Sequence, residues 1–272
     1  MILSGKPVAD RILAEIREKM KESGATPGLG VVLVGDDPAS RIYVGIKEIR
    51  SRELGFRFVK TELSSSAGES EIVDAIRAFN ADPGISGIVV QLPLPEGIDA
   101  DRVIAAVDPR KDADGFLGTS DRIPVFPEAM IELAKSAGSS FQGKIGVVLA
   151  NSERFGEVMT EALAREGMDA KYILPRDLAD ENGNDTVRAA DFVFSAIGRP
   201  ETLSGDIFKK GAVVIDGGIS KKDGKVVGDV SVIGDEADIS LSPVPGGVGP
   251  VTVACLLRRV TSLASEQTKT AI

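Results

Sequence analysis

Short apolar runs alternate with amphipathic segments along the first half of the chain. The runs at 28–35 (GLGVVLVG), 56–63 and 84–95 have the length, the β-branched residues and the Gly or Pro boundaries of strands. Helical spacing of apolar residues predicts helices over 38–54 and 70–82. An N-terminal amphipathic helix carries one apolar stripe, formed by Val8, Ile12, Ile16 and Met20. This alternation predicts right-handed βαβ units and a parallel sheet.

The same alternation returns in the second half, after a segment rich in Asp, Gly and Pro at 108–127 that is typical of a linker. A helix is expected near 127–137. The later elements are predicted as a strand over 144–150, a helix over 152–167, and strands over 169–174, 190–198 and 211–218. A final helix begins near Pro250, and the tail from Ser265 is expected to fray.

The predicted fold class is α/β with two domains and an active cleft between them. The first domain spans 1–120, and the helix at about 250–266 packs back onto it. The second domain spans 121–249 and is predicted to be a Rossmann-like, doubly wound parallel sheet. Ligands of such sheets bind beyond the carboxyl ends of the strands, where the strand order reverses.

The composition restricts the chemistry. The sequence has no histidine and only Cys255 as a thiol, which excludes histidine bases, internal disulfides and zinc sites of the usual ligands. No clustered DxDxDG pattern supports a metal site. The net charge of −9 argues against nucleic acid or anionic membrane as a partner, and no apolar run reaches the roughly 18 residues that span a bilayer. A lone cysteine and an N-terminus without signal-peptide features lead us to expect a cytoplasmic protein.

Tyr43 and Lys47 lie four residues apart, which places them on one face of a predicted helix. Such a pair in an arbitrary sequence is usually a solvated surface contact. Two features favour a function here. The helix follows a turn, VGDDPAS, at the carboxyl end of a strand, where α/β sheets bind ligands. In a chain without histidine, a lysine whose pKa is lowered by burial is also the natural proton carrier.

Three further stretches contain candidate residues. IVVQLPLP presents Gln91 at the end of a strand, where it could hydrogen-bond a heterocycle or the lysine, or be a simple loop residue. KDADGF places Asp114 before a glycine, which taken alone is a generic turn. SPVPGGVGP lets the backbone approach a ligand closely at Gly246, Gly247 and Gly249, and its Pro250 opens a helix whose first amides are free.

Taken in order, VGDDPAS, YVGIK, VQLPLP, DADGF and PVPGGVGPVT resemble the motifs of one family, the bifunctional methylenetetrahydrofolate dehydrogenase/methenyltetrahydrofolate cyclohydrolases. GAVVIDGGIS and VVGDV are similar to further family motifs, so the resemblance covers nearly the whole chain. It implies a folate-binding, catalytic first domain and a nicotinamide-binding second domain. The implied reactions are oxidation of 5,10-methylenetetrahydrofolate to the 5,10-methenyl form and hydrolysis of that product to 10-formyltetrahydrofolate. The implied setting is one-carbon metabolism and purine biosynthesis, in a homodimeric enzyme.

The resemblance also assigns roles to the folate half. Lys47 is implied to be the catalytic group, and Gln91 to assist it. Tyr43 is implied to pack against the pterin, and Asp114 to bind the amino-pyrimidine edge, a set of donors that suits a carboxylate. Further substrate contacts are implied for Leu92, Pro93, Pro245, Gly246, Gly247 and Thr252.

The nucleotide half departs from the family pattern. In place of the GRSxxVGxP loop, residues 150–158 read ANSERFGEV, so the arginine that normally meets the 2′-phosphate of NADP is Asn151. Arg176 lies where a second family arginine falls; it either takes over a phosphate contact or is a solvated loop residue. The expected cofactor is therefore NADP, with NAD possible. The implied cofactor-binding residues are Asn151, Ser152, Gly156, Arg176, Ala196, Ile197, Gly198, Asp216, Gly218 and Ile219.

A second departure follows Phe116. The family runs many residues to a PCTP motif, whereas here about seven residues lead to PVFP at 124–127, which bears on the nicotinamide position. The alternatives are a cyclohydrolase with weakened or lost dehydrogenase activity, and a non-catalytic folate- or nucleotide-binding protein. Intact Lys47, Gln91 and Asp114 argue against the second alternative. Short-chain dehydrogenases also use a Tyr-x-x-x-Lys pair, but their nucleotide loop precedes the pair, and here it follows.

Overall fold

The computed structural model of the chain describes four stretches of residues, namely 1–118, 122–178, 181–231 and 238–270. They form two compact units. The first unit combines Asp10–Val125 with Val253–Ile272, and the second combines Met1–Ala9 with Phe126–Thr252. This division differs from the predicted 1–120 and 121–249 mainly in placing the first nine residues with the second unit.

The elements of the first half alternate as predicted up to the third strand, and the short helix and the 3₁₀ turn that follow it were not predicted. In chain order they are α1 (Gly5–Ser23), β1 (Gly28–Val34), α2 (Pro38–Glu53), β2 (Arg57–Leu63), α3 (Glu69–Ala81), β3 (Gly87–Val90) and the short helix α4 (Ala100–Ile104), followed by a 3₁₀ turn at Pro109–Lys111. The three strands form a parallel sheet in the order β2-β1-β3. The strand order therefore reverses between β1 and β3, and their carboxyl ends flank the expected ligand position.

Local chemistry explains where α2 begins. The Asp37 carboxylate accepts a hydrogen bond of 2.7 Å from the backbone N–H of Ser40, and Pro38 occupies the first turn, where a proline is well tolerated. Strand β1 is buried along its whole length, as expected for the central strand of a covered parallel sheet. The turn between strand and helix is thus fixed at both ends, which positions the side chains of α2.

The second half contains the larger sheet. Its elements are α5 (Val125–Lys135), β4 (Ile145–Ala150), α6 (Glu153–Arg165), β5 (Asp169–Ile173), α7 (Glu181–Ala189), β6 (Phe192–Ala196), a 3₁₀ turn at Gly205–Ile207, β7 (Val213–Asp216), β8 (Ser220–Lys222), β9 (Lys225–Val227), β10 (Ser240–Leu241) and α8 (Val248–Thr270). Five strands pair in parallel in the order β10-β7-β6-β4-β5. The chain reverses direction across the sheet between β4 and β6. This is the predicted doubly wound arrangement, and the two-domain α/β prediction is confirmed.

Helix α8 continues beyond the predicted end. The expectation that the tail from Ser265 frays is wrong up to Thr270, because Gln267 donates hydrogen bonds of 3.0 Å to the carbonyl oxygens of Ser86 and Arg110. At Val260 the helix packs closely on the sheet: a Cβ atom placed on Gly87 would lie 2.9 Å from the Val260 side chain. The last helix is therefore anchored within the first unit.

Candidate active site

The switch point of the three-stranded sheet brings a lysine and a glutamine together. Gln91 directly follows β3, and its backbone N–H donates to the carbonyl oxygen of Val32 at 2.9 Å. The Nζ atom of Lys47, on α2, donates to Oε1 of Gln91 at 2.8 Å. The Nε2 atom of Gln91 donates to the carbonyl oxygen of Leu92 at 2.7 Å, so the amide is held with its oxygen toward the lysine. The acceptor of the lysine is thus preoriented.

The environment of Lys47 favours its neutral form. The side chain is buried, and burial lowers the pKa of the ammonium group, while the Asp114 carboxylate acts in the opposite direction. Burial likewise raises the pKa of Asp114, against the influence of Lys47. The two groups are close enough to interact electrostatically. Burial therefore lowers the pKa of the lysine and raises that of the aspartate, while the attraction between the two groups opposes both shifts.

A second buried lysine shows what a structural role looks like in this fold. The Nζ atom of Lys111 donates to the carbonyl oxygens of Phe79, Asn80 and Asp82 at 3.0, 2.9 and 2.8 Å. These bonds use all three ammonium protons and supply donors to carbonyl groups at the end of α3. Among the described residues, Lys47 has only Gln91 as a hydrogen-bond partner. Its remaining donor positions are available to a ligand or water.

Asp114 lies in a turn that a neighbouring carboxylate organises. Asp112 accepts hydrogen bonds from the backbone N–H groups of Gly115 at 2.8 Å and Leu117 at 2.9 Å. The carbonyl oxygen of Asp114 accepts from the N–H of Val125 at 3.0 Å, which fixes the other end of the turn. Asp112 was not among the predicted site residues, although an aspartate two or three residues before a glycine is a familiar turn signal.

Three further residues of the first unit are predicted substrate contacts, namely Tyr43, Leu92 and Pro93. Tyr43 is half-buried on α2, burial raises its pKa, and its hydroxyl has no hydrogen-bond partner in the part of the chain that the structure describes. Leu92 is half-buried and Pro93 is exposed, with a cis peptide bond between them. The hydroxyl of Ser40 donates to the carbonyl oxygen of Leu92 at 3.4 Å, which connects this loop to the start of α2.

The glycine-rich segment before α8 belongs to the second unit. Gly246 has a φ of +105°, a conformation that favours glycine, and together with Pro245 it is exposed. Gly247 is buried because Gly5 packs directly on it: a Cβ atom on Gly5 would lie 1.8 Å from the carbonyl oxygen of Gly247. The hydroxyl of Thr252 donates to the carbonyl oxygen of Val248 at 3.0 Å. These four predicted substrate-binding residues therefore lie in a different unit from Lys47.

The switch point of the five-stranded sheet has the features of a dinucleotide site. Asn151 and Ser152 follow β4, both are exposed, and Ser152 caps α6 by accepting from the N–H of Phe155 at 3.4 Å. The positive end of the 13-residue helix α6 suits a phosphate. After β6, a Cβ atom placed on Gly198 would meet no atom within 4 Å, so open space lies beside the strand end. A nicotinamide dinucleotide fits this arrangement of residues.

Two other predicted cofactor residues have partners within the protein. A Cβ atom on Gly156 would lie 2.5 Å from the ring of Tyr172, so this glycine allows α6 to approach β5. Arg176 forms ion pairs with Glu153 at 3.0 Å and with Asp177 at 3.7 Å, and its side chain is exposed. A 2′-phosphate would have to compete with both carboxylates for this guanidinium.

The strand end of β7 carries the last predicted cofactor residues. Asp216 is buried and accepts backbone hydrogen bonds, and burial raises its pKa to about 6. The backbone N–H of Gly218 donates to the Asp216 carboxylate at 2.9 Å. Ile219 is 46% exposed, which is unusual for a large apolar residue. Asp229, which lies in the VVGDV motif but was given no predicted role, is a fully buried carboxylate that accepts from the backbone N–H groups of Ile197 and Gly198.

Within the described ranges, no helix is both long and apolar enough to cross a membrane. The same residues contain no group of three or more Cys, Asp or Glu side chains placed to hold a metal ion.

Family models match both halves of the chain. The catalytic domain of tetrahydrofolate dehydrogenase/cyclohydrolase matches residues 3–114, and the NAD(P)-binding domain of the same enzymes matches residues 124–268. The chain belongs to the tetrahydrofolate dehydrogenase/cyclohydrolase family. The family predicted from the motif order is thereby confirmed.

Individual family members agree along their full length. The chain is 41% identical to the bifunctional protein FolD 1 of Rhizorhabdus wittichii, over 98% of this chain and 95% of that one. The crystal structure of bifunctional FolD from Campylobacter jejuni superposes with a TM-score of 0.88 at 32% identity, covering 100% of this chain and 99% of that one. The Trypanosoma brucei FolD structure, a complex with NADP cofactor and inhibitor, gives a TM-score of 0.85 at 31% identity and covers 99% and 98% of the two chains.

The departure from the family's PCTP motif has a structural counterpart. Phe126, in the PVFP segment, packs its ring against that of Phe155 on α6, with a centroid separation of 5.7 Å. A Cβ atom on Gly217 would lie 2.7 Å from the Phe126 ring. The larger side chain therefore fills space between the start of α6 and the end of β7. These two positions follow β4 and end β7, at the carboxyl edge of the five-stranded sheet.

Proposed function

We propose that this protein oxidises 5,10-methylenetetrahydrofolate with a nicotinamide dinucleotide and hydrolyses the methenyl product to 10-formyltetrahydrofolate. The observation that carries the proposal is the hydrogen bond from Lys47 to Gln91, at the switch point of the first sheet and within electrostatic reach of Asp114. This arrangement supplies a lysine of lowered pKa with donor positions left for a ligand. Full-length similarity to bifunctional FolD proteins supports the same conclusion.

The hydrolytic step needs a group that accepts and returns a proton. Water attacks the cationic methenyl carbon, a C–O bond forms, and the proton released from the water passes to neutral Lys47. The hydroxyl of the resulting neutral intermediate then gives up its proton to solvent, its oxygen forms the formyl C=O bond, and the bond from that carbon to N5 breaks. The electron pair goes to N5, to which the lysine returns its proton, so that one proton is released overall. Gln91 accepts a hydrogen bond from the lysine in either charge state, which keeps Nζ in place throughout the step.

Asp114 and Tyr43 would hold the substrate. The donor-rich amino-pyrimidine edge of the pterin would pair with the Asp114 carboxylate, and a charge-assisted pair of this kind offsets the burial that raises the pKa of this group. Tyr43 presents a half-buried ring on the helix face that carries Lys47, which suits stacking on the pterin. Leu92 and Pro93 would border the same pocket.

The dehydrogenase step requires the dinucleotide, which supplies the hydride acceptor when it is bound. The exposed residues Asn151 and Ser152, with the first turn of α6, would hold its phosphates, and the chain from Ala196 to Gly198 would border it on the other side of the switch point. Gly218 and Ile219 would contact it from the end of β7. Arg176 would meet a 2′-phosphate.

NADP is the proposed cofactor, and NAD is the second candidate. Similarity to the FolD of Trypanosoma brucei, whose structure contains NADP, supports the first. Asn151 in place of an arginine, and the ion pairs that Arg176 makes with Glu153 and Asp177, support use of NAD as well. We further propose a homodimeric, cytoplasmic enzyme whose product supplies formyl groups for purine biosynthesis.

A second candidate function is hydrolysis with little or no oxidation. The observation that favours it is confined to the nucleotide half, where Asn151 removes a phosphate ligand and Phe126 fills space beside α6. The first sheet carries no such change. Comparison of the two activities separates the candidates.

The test measures the two reactions separately. Purified protein is given methylenetetrahydrofolate with NADP or NAD, and reduced nicotinamide is followed; methenyltetrahydrofolate hydrolysis is followed without cofactor. In Lys47→Met we expect hydrolysis to fall at least about 100-fold, the contribution of one acid–base group. Lys111→Met is the matched control, because it removes a buried lysine outside the site. Hydrolysis at the wild-type rate in Lys47→Met would refute the proposal, and wild-type protein active only in hydrolysis would establish the second candidate.

A further inference from the structure

Two buried aspartates, Asp216 and Asp229, lie behind the strand ends of the nucleotide half. Their side chains are 3% and 0% exposed. Neither forms an ion pair with a described lysine or arginine. Each carboxylate is instead surrounded by backbone N–H groups, which offset part of the cost of burying negative charge without a counterion.

Asp229 binds the chain that leaves β6. Its Oδ2 atom accepts from the N–H of Ile197 at 2.7 Å and from the hydroxyl of Ser195 at 2.6 Å. Its Oδ1 atom accepts from the N–H groups of Gly198 at 2.9 Å and Arg199 at 3.0 Å. Three consecutive amides are therefore turned toward one carboxylate, and this fixes the path of the segment that borders the dinucleotide position.

Asp216 in turn fixes Asp229. Its carboxylate accepts from the backbone N–H of Asp229 at 3.1 Å and from that of Val230 at 2.9 Å. It also accepts from the N–H of Gly218 at 2.9 Å, in the segment after β7. The two aspartates thus connect the segments that follow β6 and β7 through one hydrogen-bonded network.

Two glycines make room for this network. A Cβ atom on Gly218 would lie 2.2 Å from the Asp229 carboxylate, and a Cβ atom on Gly228 would lie 2.0 Å from that of Asp216. The relationship is reciprocal, since each glycine lies within two residues of one aspartate in sequence and packs on the other. The glycine at 218 is therefore required by the buried carboxylate, whatever contact it makes with a ligand.

We propose that Asp229 is a positioning residue for the dinucleotide. It holds the amides of residues 197–199 inward, and this leaves the open space found beside Gly198 on the ligand side of the strand end. The inference rests on the proposed function, because it assumes that a dinucleotide occupies this switch point. It assigns no role to Asp229 in the folate half.

Substitution by asparagine is the informative change. The side chain keeps its size, but one carboxylate oxygen becomes an NH₂ group that faces N–H donors instead of accepting from them. One backbone N–H loses its acceptor if the NH₂ group faces Ser195 and Ile197, because the Ser195 hydroxyl can accept from it, and two lose theirs if it faces Gly198 and Arg199. In either orientation the segment 197–199 is held by fewer hydrogen bonds. We expect the KM for NADP to rise by about tenfold or more, the effect of losing one or two such bonds. We expect kcat at saturating cofactor to change by less than about threefold, since no reacting atom touches Asp229.

Two controls separate positioning from general destabilisation. Val187→Ala removes two methyl groups from a fully buried side chain of the second unit without touching the network. Urea unfolding measures the stability lost in this variant and in Asp229→Asn, and their KM values for NADP are compared at equal loss. Ser195→Ala removes only the hydroxyl donor and leaves the three amides bound, so a smaller rise in KM is expected. Hydrolysis of methenyltetrahydrofolate, measured in every variant, reports on the first unit and should remain at the wild-type rate.

The possible outcomes point to different conclusions. A raised KM in Asp229→Asn, with hydrolysis and the Val187→Ala control unchanged, supports the proposal. An unchanged KM in Asp229→Asn, with wild-type protein using NADP, overturns positioning and leaves the proposed function intact. An equal rise in KM in Val187→Ala also overturns it, because loss of stability alone would then explain the result. Wild-type protein that binds neither NADP nor NAD overturns the dehydrogenase function and the positioning role together.

Discussion

Lys47 and Gln91 are joined by a hydrogen bond of 2.8 Å in which the amide oxygen, rather than the amide nitrogen, faces the ammonium group. The orientation follows from the other end of the amide, where Nε2 donates to the carbonyl oxygen of Leu92. A neutral acceptor holds the lysine without the strong rise in pKa that a carboxylate would cause. This relationship leads directly to a test by pH.

Gln91→Glu should raise the pKa of Lys47 and shift hydrolysis to higher pH. A carboxylate at hydrogen-bond distance favours the charged lysine, and such a partner shifts a pKa by about 1–3 units. The rate at neutral pH should fall, and the pH–rate profile of methenyltetrahydrofolate hydrolysis should move upward. Gln91→Met serves as the control, because it removes the hydrogen bond without adding charge. An unshifted profile in Gln91→Glu, with activity retained, would show that Lys47 is not the titrating group.

Asp114→Asn should weaken folate binding and leave the dinucleotide unaffected. Loss of a hydrogen bond to a charged group costs about 1.5–3 kcal/mol, which corresponds to roughly 10- to 150-fold in affinity. Calorimetric titration with the folate and with NADP measures the two ligands independently. Asp112→Asn is the control, since it weakens the hydrogen bonds within the turn and leaves the carboxylate proposed to contact the folate unchanged. Equal losses for both ligands would indicate misfolding and not a folate-specific role.

Lys111→Met should destabilise the protein without removing the chemistry. The substitution leaves the carbonyl oxygens of Phe79, Asn80 and Asp82 without their donor, and each unsatisfied buried group costs about 1–3 kcal/mol, reduced where water replaces the lysine. Urea unfolding should show a lower midpoint, while kcat of the folded protein should remain unchanged. A loss of kcat in the fully folded variant would contradict the distinction drawn between the two buried lysines.

Glu153→Gln should increase the preference for NADP over NAD. Removing this carboxylate releases Arg176 from an ion pair of 3.0 Å and removes a negative charge that would repel a 2′-phosphate. We expect a several-fold tighter Kd for NADP and no change for NAD, measured by titration. Arg176→Ala should have the opposite effect on NADP alone. If neither variant changes NADP affinity and Asn151→Arg raises it, the phosphate contact lies at residue 151.

Asp216 should make stability depend on pH between about 4 and 7. Its pKa is raised from 3.8 to about 6, so the folded state binds a proton more tightly than the unfolded state. The tighter proton binding therefore contributes fully to the free energy of unfolding below the pKa of the unfolded state. This contribution, up to about 3 kcal/mol for this shift, is lost as pH rises through the pKa of the folded state. Comparison of urea unfolding in wild type and Asp216→Asn isolates the effect, because Asp114 shifts in the same direction in both proteins. Parallel pH dependence in the two proteins would contradict it.

Local patterns were sufficient for much of the fold and of the folate half. The spacing of Tyr43 and Lys47 placed both on one helix face, and the prolines after Gln91 placed the amide at a strand end. These are relationships within a few residues, which periodicity and turn chemistry describe well. The alternation of strand and helix likewise predicted both parallel sheets.

The missed features have two different physical causes. The Asp223–Gly224 turn, with φ values of +51° and +75°, is an Asp-Gly hairpin signal that predicts β8 and β9, and it was overlooked because the flanking residues are mostly charged. Helix α7 was missed because its sequence, ENGNDTVRA, is almost entirely polar. The VVGDV motif contains Asp229 but does not predict its hydrogen-bond network, since its partner Ser195 lies 34 residues away. Lys111 likewise binds carbonyl oxygens 29 to 32 residues away.

The division of the chain into units has a consequence for synthesis on the ribosome. The first unit consists of residues 10–125 and 253–272, and the strand β3 and the carbonyl oxygens of Ser86 and Arg110 are covered by α8. A nascent chain must therefore complete the entire second sheet before the helix that finishes the first unit has been made. During that interval we expect chaperones to bind the apolar surface of the first unit that α8 later covers. For the same reason, cutting the chain at 125 would not yield two self-sufficient halves, and point substitutions are the appropriate means of separating the two activities.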